Sequence, residues 1–354
     1  MSTRLATTSK GKPPADADSP RLSAFVAACF FLSGAAGLVY QVIWVRLIEK
    51  VIGSAPFAVA AVLSVFMAGL ALGSWRAGRV IDRRPTRAAL LALYGKLELG
   101  IGVLALAVPC AMAAARPVYQ AFYDPLLEHF WCHQAAALAG CALVLIPPAA
   151  LMGATLPVLC RFYVRRLDHL GRRTGWLYGL NTAGAALGVA LCGLVLIPHL
   201  GVWPTLRLFA ALNFLIGGAC LWVARRLAAE PVPPKAGSQQ KVPPIPAAPE
   251  PEPINGMDRQ MRWGLAIFAV SGFCAMAYEV LWTRLLGLIA GPTTYCFTLV
   301  VATFIIGLAV GDMNQARKKN RTMASKTPAQ TGSVSAPEAA SKPTEVPATE
   351  AAPG

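Results

Sequence analysis

The chain has 354 residues, of which 56% are hydrophobic and only 14% are charged. A soluble domain carries about 25% charged residues, so this composition excludes an ordinary soluble enzyme. The formal net charge is +15, but Lys and Arg cluster at the ends of apolar runs, and the aromatic-basic motifs of nucleic-acid-binding modules are missing. The composition indicates an all-α, multi-pass integral membrane protein that binds no nucleic acid.

Apolar windows predict eight membrane-spanning helices, because a helix needs about 20 residues to cross a hydrocarbon core about 30 Å thick. Arg and Lys are concentrated after spans 2, 4, 6 and 8, whereas the connection after span 3 is poor in cations. The positive-inside rule therefore places both termini in the cytoplasm. The predicted spans are 24–45, 55–75, 89–113, 135–159, 175–198, 204–224, 263–283 and 293–311.

Two segments of the sequence are too polar or too rich in proline to form a packed core. One follows span 6 and the other follows span 8. The predicted organisation is a cytoplasmic N-terminal tail (1–23), a six-helix transmembrane domain (24–226), a Pro-rich linker (227–261), a two-helix unit (262–311) and a basic, then disordered cytoplasmic tail (312–354).

The two-helix unit repeats the first two spans. When the sequence is shifted by 238 residues, 14 of the 41 positions from Ser33 to Gly73 are identical, and they include Tyr40, Trp44 and Arg46. Six spans separate the two copies, so both enter the membrane in the same direction, as do the parallel halves of major-facilitator transporters. We therefore expect a major-facilitator-like architecture whose second half is truncated after two helices.

Several motifs carry a resemblance to a known family. They are Phe31-Leu32-Ser33-Gly34, Tyr40-Gln41-Val42-Ile43-Trp44, Gly69-Leu70-Ala71-Leu72-Gly73, Leu97-Glu98-Leu99-Gly100, Leu151-Met152-Gly153-Ala154 and Leu180-Asn181-Thr182-Ala183-Gly184. Together they resemble the membrane portion of the fused, spermidine-synthase-like membrane proteins of bacteria, over residues 24–311. The resemblance implies a location in the bacterial inner membrane and a cytoplasmic aminopropyltransferase-like domain that binds decarboxylated S-adenosylmethionine and a diamine.

That catalytic domain is not recognisable in this sequence. A Gly-rich loop after a strand, which would mark its cofactor site, is missing, and no soluble stretch is long enough for a Rossmann-like sheet. We therefore expect a non-catalytic membrane moiety, without a cofactor, that anchors or partners a separately encoded aminopropyltransferase-like protein. The alternative is a small secondary transporter of an organic cation or polyamine. Both functions require the lipid bilayer as a partner, and either permits a homo-oligomer.

Ionisable residues inside apolar spans are candidate sites, because a charge at membrane depth is costly. Glu279 in span 7 stands where the first copy of the repeat has Gln41, so it is the first candidate for a cation site or for an ion pair with Arg284. Glu98 in span 3 is the second candidate. Lys96 is two residues from Glu98 and cannot share its helical face.

The connection after span 2 resembles the cytoplasmic loop motif of major-facilitator proteins. Gly78, Asp82, Arg83 and Arg87 have the spacing of that motif. An Asp that bridges to Arg across helix ends could latch one conformation. The alternative is an ordinary basic loop that fixes the topology.

The remaining candidates favour structural roles. Gly184 and Gly188 form a small-xxx-small pair, which lets another helix approach closely, and Asn181 beside them could hydrogen-bond across helices. His129 and His133 have helical metal-binding spacing, but the sequence fixes no third ligand, so no metal site is predicted. The four histidines form no recognisable catalytic arrangement with Ser, Cys or Asp.

Overall fold

The computed structural model describes residues 20–52, 55–81, 86–121, 129–163, 170–229, 259–291, 295–307 and 311. The chain divides into Met1–Ala316 and Arg317–Gly354, and every described residue belongs to the first unit. Asp82 and Arg83, most of the predicted linker and the whole predicted tail lie outside the described residues.

All regular elements in the described ranges are helices. Seven of them are long and apolar enough to cross a membrane, which confirms the predicted all-α, multi-pass fold class. The helices are α1 (Pro20–Ile52), α2 (Ala55–Ile81), α3 (Arg87–Ala121), α4 (Phe130–Tyr163), α5 (Leu170–Leu191), α6 (Val202–Ala229), α7 (Arg259–Ala290) and the shorter α8 (Tyr295–Gly307). Helix α5 continues through a π-helical turn (Cys192–Leu196) and one α-helical turn (Ile197–Leu200).

The helices extend beyond most of the predicted spans. A hydropathy window ends near the first charged residues, but backbone hydrogen bonding continues through polar ends that reach the membrane interface. Internal prolines also do not end the helices: Pro109 lies within α3, and Pro147 and Pro157 lie within α4. Proline is tolerated in membrane helices because neighbouring helices and Ser or Thr side chains satisfy the freed backbone groups.

The first six helices form an inverted repeat of three. The most extensive contacts join α1 to α5, α2 to α4 and α3 to α6. A shift of 115 residues relates α1 to α4, α2 to α5 and α3 to α6. Exchange of these related helices therefore turns the α1–α5 pair into the α2–α4 pair and leaves the α3–α6 pair unchanged. Three spans separate the copies, so they cross the membrane in opposite directions. This is the nested arrangement found within each six-helix half of major-facilitator transporters.

Glycine contacts in the two related helix pairs follow the same shift. Gly184 and Gly188 of α5 lie against the backbone carbonyl groups of Phe31 and Ala35 in α1. Residues 115 positions earlier repeat this pattern: Gly69 of α2 lies near the carbonyl of Ile146, and Gly73 lies against that of Ala150. The sequence records the relationship, because 68–73 reads AGLALG and 183–188 reads AGAALG. Close backbone contact therefore holds both pairs together.

Residues that are identical in the predicted parallel repeat have different surroundings. Tyr40 and Trp44 of α1 are fully buried, and their rings stack with centroids 5.8 Å apart. Their counterparts in α7, Tyr278 and Trp282, are each 57% exposed. Helix α1 contacts all the other helices among α1–α6, whereas the most extensive contact of α7 with these helices is with α2.

Candidate functional site: a buried carboxyl between the two repeats

Glu98 lies at the centre of a buried polar network that joins α1, α3 and α6. Its side chain is fully buried. Ser33 Oγ donates a hydrogen bond of 2.6 Å to Glu98 Oε1, and Asn213 Nδ2 donates one of 2.6 Å to Glu98 Oε2. Tyr40 Oη donates to Asn213 Oδ1, also at 2.6 Å. Each of the three helices thus contributes at least one side chain, so formation of the site requires the assembled bundle.

A second tyrosine lies beside the carboxyl on the same helix. Tyr94 precedes Glu98 by four residues, so the two side chains share one face of α3. Tyr94 is fully buried, and its hydroxyl lies beside the Glu98 carboxyl group without forming a hydrogen bond of standard geometry to any described residue. The thiols of Cys29 and Cys220 lie next to each other at the edge of the network. The Tyr94 hydroxyl is therefore a polar atom at the site with unused hydrogen-bonding capacity.

The network contains no compensating positive charge. Within the described ranges, Glu98 forms no ion pair, and the side chains of Ser33 and Asn213 that donate hydrogen bonds to it are neutral. Burial of an ionised carboxylate without a counter-charge costs several kcal/mol, even after structural relaxation. A buried, unpaired carboxyl at membrane depth is for this reason a candidate functional group.

Glu98 and Asn213 occupy equivalent positions in the two inverted copies. The shift of 115 residues maps Glu98 onto Asn213 and Gly102 onto Gly217. A side chain at Gly102 would meet Phe214, and one at Gly217 would meet Leu99, which is the residue that the same shift maps onto Phe214. The α3–α6 interface is thus internally symmetric. The hydrogen bond from Asn213 to Glu98 joins the two copies at their interface.

Lys96 and Glu98 lie on different faces of α3. Lys96 is exposed, whereas Glu98 is buried, as expected for residues two positions apart on a helix. A lysine at this depth can extend its long side chain towards the membrane interface. The structure therefore does not bring Lys96 and Glu98 together.

Glu279 is the buried residue of a mostly exposed helix. Only 5% of its surface is exposed, whereas Arg284 is exposed. The two side chains form no ion pair within the described part of α7. Thr283 Oγ1 donates a hydrogen bond of 2.7 Å to the backbone carbonyl of Glu279. The side-chain carboxyl group of Glu279 takes no part in this hydrogen bond.

The loop motif is described only at its ends. Gly78 is exposed near the end of α2. The guanidinium of Arg87, at the start of α3, lies 4.5 Å from the ring centroid of Phe162 in α4. Asp82 and Arg83, which the predicted latch requires, lie outside the described residues, so the latch stays a prediction.

The predicted packing residues line the α1–α5 interface. Besides the contacts of Gly184 and Gly188, Gly34 of α1 lies against the backbone carbonyl of Asn181. The side-chain oxygen Oδ1 of Asn181 is 2.7 Å from the position that a Cβ on Gly34 would take. These residues hold the helices in close contact.

The sequence singles out Glu98 but not the residues around it. Asn213 and Tyr94 carry no motif, and Ser33 and Tyr40 belong only to the parallel repeat and the family motifs. The shift of 115 residues is the signal that pairs Asn213 with Glu98. Among the described residues, His129 and His133 belong to no group of three metal-ligating side chains.

Comparison with known proteins returned no match to a family, to a curated protein or to a solved structure.

Proposed function

We propose that this chain is the non-catalytic membrane moiety of a bacterial spermidine-synthase-like protein, which anchors or partners an aminopropyltransferase-like protein on the cytoplasmic side. One observation carries the proposal: the motifs that resemble that family supply the contacts between helices in the bundle. A signature that specifies helix packing fits a membrane scaffold better than a catalytic centre.

The contacts of the motif residues support this interpretation. Ser33 donates to Glu98, which joins the motifs of α1 and α3. Gly34 lies against Asn181, which joins the motifs of α1 and α5. Gly153 in the motif of α4 lies against the backbone of Leu70 in the motif of α2. Each contact links two motifs from different helices, so the motifs act together to assemble one bundle.

The ends of two helices offer a surface for a cytoplasmic partner. Arg79 lies 3.9 Å above the ring centroid of Trp75 near the end of α2, and Arg226 lies 3.8 Å above that of Trp222 near the end of α6. Both tryptophans are exposed. By the positive-inside rule these ends lie on the cytoplasmic side, where cations and interfacial aromatic rings are enriched.

Two measurements test the proposal. The purified full-length chain should form no spermidine from putrescine and decarboxylated S-adenosylmethionine, and turnover by protein free of contaminating enzyme would contradict the proposal. The chain in lipid nanodiscs should bind a purified aminopropyltransferase-like protein from the same genome. Arg79→Glu combined with Arg226→Glu should weaken that binding, whereas Lys96→Gln should not. Binding that is absent, or equal for all variants, would count against the anchoring role.

Transport of an organic cation is the second candidate function, and Glu279 is the observation that favours it. This carboxyl group is buried on α7 and lacks an ion pair within the described residues. In proteoliposomes, the chain should then accumulate labelled putrescine, and Glu279→Gln should abolish uptake, whereas the control Glu49→Gln should retain it. Lack of uptake by the unaltered chain would exclude this function for putrescine.

A further inference from the structure

The atoms around Glu98 determine what ligand its carboxyl group can accept. Both oxygens already receive hydrogen bonds of 2.6 Å, one from Ser33 and one from Asn213. Asn213 cannot rotate its amide freely, because its Oδ1 accepts the hydrogen bond from Tyr40. A metal ion or an organic cation at the carboxyl would have to displace these fully or partly buried side chains. A proton needs no such displacement.

The Tyr94 hydroxyl provides the acceptor that a protonated carboxyl requires. A carboxylic acid carries one O–H donor in addition to its remaining acceptor capacity. Asn213 Nδ2 is a donor only and cannot accept that hydrogen, and Ser33 Oγ uses its own hydrogen to donate to Glu98 Oε1 in the observed arrangement. Tyr94 Oη is buried beside this carboxyl group and forms no hydrogen bond of standard geometry with any described residue.

We propose that Glu98 is an intramembrane proton-binding site in which the carboxyl O–H donates to Tyr94 Oη while Ser33 and Asn213 donate to the carboxyl oxygens. Binding adds one proton from water to the carboxylate and forms one O–H bond, with no change in oxidation state. The proposal is independent of the anchoring function and does not require transport.

The groups that face Glu98 are consistent with a neutral site. Helix α1 contributes Cys29 and Tyr40, α3 contributes Tyr94, and α6 contributes Cys220, all of which are uncharged when they carry their protons. No described Lys or Arg forms an ion pair with the carboxyl group. Protonation therefore removes the only negative charge of the network and with it the cost of burying that charge.

Infrared difference spectroscopy of the full-length chain in nanodiscs tests the proposal, because carboxylic acids and carboxylates absorb at different frequencies. The spectrum of the unaltered protein minus that of Glu98→Gln, recorded at neutral pH, should contain a carboxylic-acid C=O band that shifts in D₂O after exchange. Tyr94→Phe should retain this band at a higher frequency, because the acid loses its acceptor. The control Glu49→Gln should leave the band unchanged.

An ionised Glu98 would give a different infrared spectrum. A pair of carboxylate bands in the same difference spectrum, without an acid band, would show that Glu98 is ionised and would overturn the proposal. If Glu98→Gln fails to insert into membranes, the spectrum of the unaltered protein minus that of Tyr94→Phe tests the same proposal. That spectrum must then contain a shifted acid band, and its absence would also refute proton donation to Tyr94.

Discussion

Substitution of Gly184 by alanine tests the close contact between α1 and α5. The new Cβ would overlap the carbonyl group of Phe31, with the carbonyl carbon at 2.8 Å and the Cα at 3.2 Å. These are backbone atoms, so the contact cannot be relieved by rotation of a side chain. Gly179 of the same helix provides the matched control, because a Cβ there would have no atom within 4 Å.

Helix propensity and overpacking have opposite effects on the stability of the alanine variants. Alanine is more favourable than glycine in a helix by about 1 kcal/mol, and both variants gain this term. Overpacking costs about 1–3 kcal/mol, and only Gly184→Ala incurs it. We therefore expect Gly184→Ala to unfold at a free energy about 1–3 kcal/mol below that of Gly179→Ala. SDS-induced unfolding in mixed micelles, followed by tryptophan fluorescence, measures the difference. Equal stability of the two variants would refute the close contact.

Three further predictions concern α6, the polar network and the topology. Gly217→Ala should be about 1–3 kcal/mol less stable than the adjacent Gly218→Ala in the same assay. A Cβ on Gly217 would lie 2.7 Å from the carbonyl oxygen of Gly95, whereas one on Gly218 would have no atom within 4 Å. Equal free energies of unfolding for the two variants would argue against the α3–α6 contact. Tyr40→Phe should cost about 1 kcal/mol, since it removes the hydrogen bond to Asn213, and an unchanged unfolding midpoint would be inconsistent with that bond. Cys132, which is exposed at the start of α4, should react with an impermeant maleimide on intact cells in a signal that Cys132→Ser removes. Labelling of a cysteine introduced at Ser335 instead would reverse the predicted topology.

The membrane spans could be predicted from sequence because hydropathy is a local property. Each long apolar run is a helix in the described residues, and even Pro147 within α4 does not change that outcome. Glu98 could be selected for the same local reason, since it interrupts an apolar run. Its partners could not be selected, because Ser33 and Asn213 reach it only when α1 and α6 pack against α3.

The parallel and inverted repeats differ in the residue types by which they can be detected in the sequence. The predicted parallel repeat rests on identities at Tyr40, Trp44 and Arg46, which are residue types rare enough in a membrane helix to stand out. The inverted repeat retains mainly small and aliphatic residues, such as Gly69 and Gly73, which are common in membrane helices and carry little information individually. The pairing of Glu98 with Asn213 is therefore recognisable only from the helix contacts.

Exchange of the carboxyl and the amide between the two repeats tests most directly whether the bundle is an inverted repeat joined at Glu98 and Asn213. Glu98→Asn leaves two short amides, and Asn213→Glu places two carboxyl groups face to face, so each single variant should lose about 1–3 kcal/mol of stability. The double variant restores one carboxyl and one amide at equivalent positions. We expect it to be more stable than Asn213→Glu alone, with a coupling energy of about 1 kcal/mol or more in a double-mutant cycle. Strictly additive losses would contradict the symmetric junction.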